Sequence, residues 1–218
     1  MIPYLLQDLS YFSQVVPVVI ALFFSRFLSR SLTVFAYYLV ISLFSTLLNA
    51  YLALHGMHNL WASNIFMPIQ FGMLTYFFSF YVGNSVRRAL IWSIPSFFLL
   101  WSVNFFVFES IFRYSTYAKP LECALLTLVA ALALFTNYRQ NLSPPTSDPL
   151  FWIASGVVLY FSSIAVLFSL SASILKVSPE TLRIVFSTQA LISTLVNLSY
   201  ASGIWCLRRQ STYSGQPS

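Results

Sequence analysis

An all-α, polytopic membrane helix bundle with seven transmembrane helices is predicted by three observations. Charged residues make up 7% of the 218 residues and apolar residues 58%, and the mean hydropathy is +0.78. A water-soluble domain carries about 25% charged residues, so this chain has too few to build a solvated surface. The few charges also punctuate it, leaving uncharged stretches at 9–25, 31–86, 89–108, 123–138, 149–175 and 184–207. A helix needs about 20 apolar residues to cross about 30 Å of hydrocarbon, so these gaps have the length of spans. Finally, the apolar runs are continuous, whereas the strands of a membrane barrel would alternate. The same composition excludes disordered, collagen-like, coiled-coil and disulfide-rich secreted classes.

Each element has its own signal. The first span, 10–28, borrows a turn from its flanks and contains Pro17; no basic stretch precedes it, so it reads as a span rather than a cleaved signal. The gap 31–86 is long enough for two crossings joined at His55-Gly56-Met57-His58-Asn59, which places spans at 32–54 and 60–82. The third brings Asn64, Pro68 and Gly72 to one face. The fourth, 88–109, contains Pro95, and Lys119-Pro120 opens the fifth, 118–138. Asn141-Leu142-Ser143-Pro144-Pro145 is a breaker loop. Ser147-Asp148-Pro149 then reads as an N-cap followed by proline at the first helical position of 149–173. Ser178-Pro179-Glu180 repeats that signal ahead of 181–206. Trp61, Trp92, Trp152 and Trp205 fall near span ends, as an interfacial aromatic belt requires. One seven-helix domain over residues 1–209 and a polar tail over 210–218 follow. No stretch is left over for a catalytic output domain, so any signalling output is expected to pass through a partner chain.

Lysine and arginine set the orientation. Arg26, Arg30, Arg87, Arg88, Arg139, Arg208 and Arg209 fall on one side, against Arg113, Lys119, Lys176 and Arg183 on the other. The richer side is expected to be cytoplasmic, which puts the N-terminus outside the inner (plasma) membrane and the C-terminus inside. The net charge of +6 then reflects orientation and contact with anionic lipid headgroups. Nucleic-acid binding would need a clustered basic face, and the sequence has none. Cys123 and Cys206 lie at opposite ends of their spans, out of reach of a disulfide.

Intramembrane and near-membrane polar groups are the candidates for function. Glu109, Arg113, Lys119 and Glu122 surround the turn between the fourth and fifth spans, with Asn104 about one and a half turns below Glu109. Gln189, Ser193, Asn197 and Ala201 stack on one face of the last helix, and Ala165, Ser169 and Ser173 on one face of the sixth. Gln70 and Tyr160 are further candidates to face a central cavity. The ligand-binding set is thus Asn104, Glu109, Glu122, Gln189 and Asn197. A plainer alternative makes Glu109–Arg113 and Lys119–Glu122 surface ion pairs at i, i+4 and i, i+3, and the last-helix stripe interhelical glue. His55 and His58 are weak candidates for a metal with Glu109 or Glu122, since a catalytic zinc wants three protein ligands; no cofactor is expected. The last span lacks a lysine for retinal, no Pro-Gln dipeptide of sugar transporters is present, and no Gly-x-Ser-x-Gly, His-Glu-x-x-His or P-loop occurs.

Asp148-Pro149-Leu150-Phe151-Trp152-Ile153, with Gly156 and Leu159-Tyr160-Phe161-Ser162, resembles a helix 6 pattern of uncharacterised seven-helix bacterial membrane proteins of the Bacteroidota type. Glu122, following Tyr117-Ala118-Lys119-Pro120, fits the same pattern, and the match covers about a quarter of the chain. The resemblance implies a sensory or accessory membrane module beside two-component regulators. The lack of catalytic motifs and of output domains, with the polar interior stripe, points to a non-catalytic module, and its expected partners are membrane lipids, a small apolar or lipid-like ligand, or a membrane-bound signalling protein. A small transporter or channel, and an intramembrane metal-dependent hydrolase, are the alternatives.

Overall fold

The computed structural model of the chain describes residues 2–113, 115–140, 144–169 and 179–213. Among them are seven long helices and no strand. These are α1 (Ile2–Phe23), α2 (Arg30–Leu54), α3 (Leu60–Phe78), α4 (Asn84–Val103), α5 (Ala118–Gln140), α6 (Pro149–Ser169) and α7 (Pro179–Tyr213). The chain is therefore an all-α helical membrane protein. Five of the helices, α2 and α4 to α7, are long and apolar enough to cross a bilayer. At most 39% of the residues in each of those five apolar windows are buried by the protein itself. Large apolar side chains such as Phe23, Leu54, Trp92 and Phe106 stand on the outside, which only an apolar surrounding tolerates over so much surface.

Of α1, the stretch Leu9–Phe23 is apolar, and α3 is not among the five. α3 packs against α2, α4 and α5, and it buries Asn64, Gln70 and Thr75. A helix walled by protein on several sides need not be apolar all round, because protein partners satisfy its polar groups.

The turn at Gly56 and the cap at Asp148-Pro149 act as expected, and Ser29 adds a cap that was not expected. Ser29 caps α2, its hydroxyl accepting from the Leu32 amide at 3.5 Å. α2 ends where Gly56 takes φ +66°, the left-handed conformation that suits glycine just past a helix. Asp148 Oδ1 accepts from the Leu150 amide at 2.9 Å, with Pro149 opening α6, and Asp148 also accepts from Asn137 at the end of α5. α1 ends five residues before the expected 28, where Ser25–Phe27 form a 3-10 turn around Arg26. α4 closes with a π-helical turn, Asn104–Phe108.

The helices pack in an order that encloses a centre. α1 contacts α2, α2 contacts α3, α3 contacts α5, α5 contacts α6, α6 contacts α7, and α7 returns to α1. α4 lies outside this ring against α3. Gly156 and Gly203 bring α6 and α7 together: a Cβ on Gly203 would stand 3.0 Å from the Pro149 carbonyl oxygen, and one on Gly156 would stand 2.8 Å from the Tyr200 ring. Small residues at membrane helix contacts allow this approach. The stripe expected on α6 is represented by Ala165, which packs against the core; the side chains of Ser169 and Ser173 lie outside the described residues. Toward the end of the bundle that carries Arg30 and Arg87, the ring is filled by Phe35, Phe77 and Phe78, all fully buried. Phe35 meets Phe77 and Tyr200 at 5.1 Å between ring centroids.

Candidate functional site

Above that aromatic plug lies a polar cavity of about 450 Å³, lined from all six helices of the ring and not from α4. It is open at the end that carries the His55 turn, where Tyr11, Ala53 and Ser63 are exposed. Its size is that of a small-molecule site, but its lining is unusually polar. α2 contributes Tyr38, Ser42, Ser45 and Asn49, at spacings of four, three and four residues, which is one face of a helix. α1 contributes Gln14, whose amide donates to the Ser42 hydroxyl at 3.0 Å. α3 contributes Ser63, which donates to Asn49 Oδ1 at 2.9 Å, and Gln70.

The deepest part holds an ion pair. Lys119 Nζ donates to Glu122 Oε2 at 2.6 Å and to Gln70 Oε1 at 3.3 Å. Gln70 Nε2 in turn donates to the Tyr38 hydroxyl at 3.1 Å. This hydrogen-bonded row runs from α5 through α3 to α2. Lys119 faces the cavity, whereas Glu122 lies behind it with 0% exposure. The Phe161 ring lies 6.0 Å from the ammonium. Two buried oxygens here have no hydrogen-bond partner, Glu122 Oε1 and the Tyr200 hydroxyl, and Tyr200 lines the cavity. Among the residues with described side chains, Lys119–Glu122 is the one ion pair.

The candidate residues divide between two places. Asn197 lines the cavity and its amide donates to Ser13 on α1 at 2.9 Å, so it both faces the cavity and ties α7 to α1. Gln189 stands beside the cavity, its Oε1 accepting from Ser163 at 3.4 Å and its Nε2 buried without a partner. Ser193 lines the cavity, and Ala201 is buried on the same side of α7. Gln70 and Tyr160 line it as well. Asn104 and Glu109 are elsewhere, in the turn that follows α4.

That turn explains why Glu109 and Arg113 do not pair. The helix has ended at Glu109, whose backbone is extended (φ −126°, ψ 149°), so the i, i+4 spacing no longer brings the two side chains together. The Glu109 carboxylate instead accepts from Asn104 Nδ2 at 2.8 Å, from the Thr116 amide at 2.8 Å and from Ser115 at 3.3 Å. Partial burial pushes its pKa up, but the hydrogen bonds from Asn104, Thr116 and Ser115 outweigh that and hold it below the usual carboxylate value. The same turn is pinned to α3, where Asn64 Nδ2 donates to the Ile111 carbonyl at 2.7 Å and the Arg113 carbonyl at 2.9 Å. Asn64 thus serves the turn rather than the cavity, and Gly72 on its face packs against Ile94 of α4.

His55 and His58 are exposed at the α2–α3 turn. His55 Nδ1 lies 2.9 Å from the Tyr51 carbonyl oxygen. Among the described residues no group of three or more His, Cys, Asp and Glu comes together. No protein-family model, curated protein or solved structure matches this chain.

Proposed function

We propose that this chain is a multi-pass, non-catalytic membrane module that binds a small ligand in the cavity between its helices. The observation that carries the reading is the buried Lys119–Glu122 pair at the floor of an open, polar cavity of about 450 Å³. Ionisable groups within a bilayer are costly and concentrate where function needs them. In this reading all seven helices cross the inner membrane, with the N-terminus outside and the C-terminus in the cytoplasm, as the arginine bias supports. The cavity then faces outward. The polar side chains of the lining favour a water-soluble ligand over the apolar or lipid-like one expected above. The resemblance of residues 148–162 to sensory or accessory membrane proteins supports a role in which binding is passed to a membrane-bound partner.

A second reading, a small transporter, is favoured by the same ion pair, because paired charges inside a membrane also mark substrate and proton paths. Against it stands the aromatic plug of Phe35, Phe77 and Phe78 below the cavity.

Native mass spectrometry of the gently solubilised protein tests the binding reading. The expected result is a non-covalent small-molecule adduct that is lost in Tyr38→Ala/Ser193→Leu, which alters two walls of the cavity. A bare monomer mass under conditions that preserve lipid adducts would count against it. Substrate flux into proteoliposomes, abolished by Glu122→Gln, would favour the transporter.

A further inference from the structure

We infer that the cavity takes a carboxylate-bearing ligand on Lys119, and that Glu122 takes up one proton as that ligand binds. This rests on the reading of the cavity as a ligand site and adds the ligand's chemical class and its coupling to protons.

Lys119 has three N–H groups, and two are used, on Glu122 and Gln70; the residue itself lines the cavity. The Tyr38 hydroxyl accepts from Gln70, which leaves its own proton to give. The Tyr200 hydroxyl has no partner, but its oxygen is itself buried out of the cavity. The floor thus offers an ammonium and the Tyr38 phenol to whatever enters, while the one carboxylate is behind the lysine. A group that accepts several hydrogen bonds and carries negative charge fits that arrangement.

Charge balance supplies the coupling. The floor is neutral as it stands, one cation against one anion. An anion arriving there would leave a net negative charge inside the membrane, which is costly. A proton from water on Glu122 removes that cost. The Lys119–Glu122 ion pair is then exchanged for a Lys119–ligand ion pair, one O–H bond forms on Glu122, and no other covalent bond changes. Glu122 Oε1 is already buried without a partner. The groups that face Glu122 and Lys119 from the packed elements are Cys123 on α5, Tyr38 on α2 and Tyr160 on α6, with neutral Gln70 from α3. None of these is a second carboxylate or a histidine, so Glu122 is the group suited to take the proton.

Calorimetry on the full chain in lipid nanodiscs tests this. The probes are benzoate as a soluble carboxylate, palmitate as a carboxylate from the bilayer, and benzamide as the neutral analogue. Between about pH 5.5 and 7.5 benzoate remains largely ionised; palmitate, whose carboxyl pKa is raised at the bilayer surface, is titrated above about pH 8.5 instead. Benzoate is expected to bind with uptake of one proton, read from buffers of different ionisation enthalpy, and to weaken about tenfold per pH unit. Glu122→Gln is expected to retain binding and lose both the uptake and the pH dependence. The neutral pair Lys119→Met/Glu122→Gln, which leaves no unpaired buried charge, is expected to fold and bind neither carboxylate. Binding of palmitate alone, with the same proton uptake, supports the inference with the bilayer as source. Uptake that persists in Glu122→Gln, binding without uptake, or carboxylate binding unchanged in the neutral pair overturns it. Binding of benzamide without benzoate overturns it and leaves the cavity as a ligand site. Binding of none of the probes overturns it as well, and the native mass spectrum then decides separately whether the cavity holds a ligand.

Discussion

Lys119 and Glu122 are the residues on which the interior depends. Removing one partner of a buried pair strands the other charge, at a cost of about 3–5 kcal/mol. Lys119→Met is therefore expected to lower stability in detergent by about that amount, and adding Glu122→Gln to recover most of it. A chemical-denaturation series on the two variants measures this; equal stability in both would place the pair in water. Glu109 differs, because its hydrogen bonds depress its pKa. Its contribution is present above its unfolded value of 4.5 and is lost as pH falls through the lower folded value. The stability difference between wild type and Glu109→Ala should accordingly shrink as pH is lowered below 4.5, and a difference that grows instead would contradict the assigned hydrogen bonds. Glu122 and Asn197 were legible in the sequence as charge or amide among apolar neighbours. The Lys119–Glu122 pairing was legible from its i, i+3 spacing, although as a surface pair at a helix end. Its burial and the contact of Lys119 with Gln70 were not, because spacing does not show which way a lysine's long stem runs.

At the level of elements, the contact of α6 with α7 and the polar face of α2 shape the cavity. Gly203→Leu is expected to cost about 1–3 kcal/mol by overpacking, since the atoms its Cβ would meet include the Pro149 backbone oxygen. Gly156→Ala meets instead the Tyr200 ring, which can shift. It should therefore disturb ligand binding more than thermal stability, and the two are read separately by adduct mass and melting temperature. Gly56→Ala meets no atom within 4 Å, so its expected loss, about 1–2 kcal/mol, is that of the left-handed backbone alone. The α2–α3 turn and the α6 cap were legible because Gly56 and Asp148-Pro149 act locally. The polar face of α2 was in the sequence too, as Tyr38, Ser42, Ser45 and Asn49 at helical spacing. It is easily passed over, because serine and tyrosine do not interrupt an apolar stretch as a charge does. The split between the α4 turn and the cavity was not legible. It depends on α4 lying outside the ring, and the order in which apolar helices pack leaves no mark in composition.

The molecule as a whole is a ring of six helices with α4 on its flank, apolar on its outside and through its packed core, with polar side chains gathered around one cavity. That gathering is what makes the open cavity tenable in a bilayer: protein groups and water, not lipid, satisfy its polar atoms. The most direct test is cysteine accessibility. The native Cys123 and Cys206 are first replaced by serine or alanine, and single cysteines are introduced at Ser193 in the cavity and at Leu128, which is 66% exposed on the outside of α5. A charged, membrane-impermeant thiol reagent is then added to right-side-out vesicles. Ser193→Cys should be labelled from the outer face while Leu128→Cys, buried in lipid, is not. Labelling of Leu128→Cys with protection of Ser193→Cys would mean that water and lipid are on the opposite surfaces from those described.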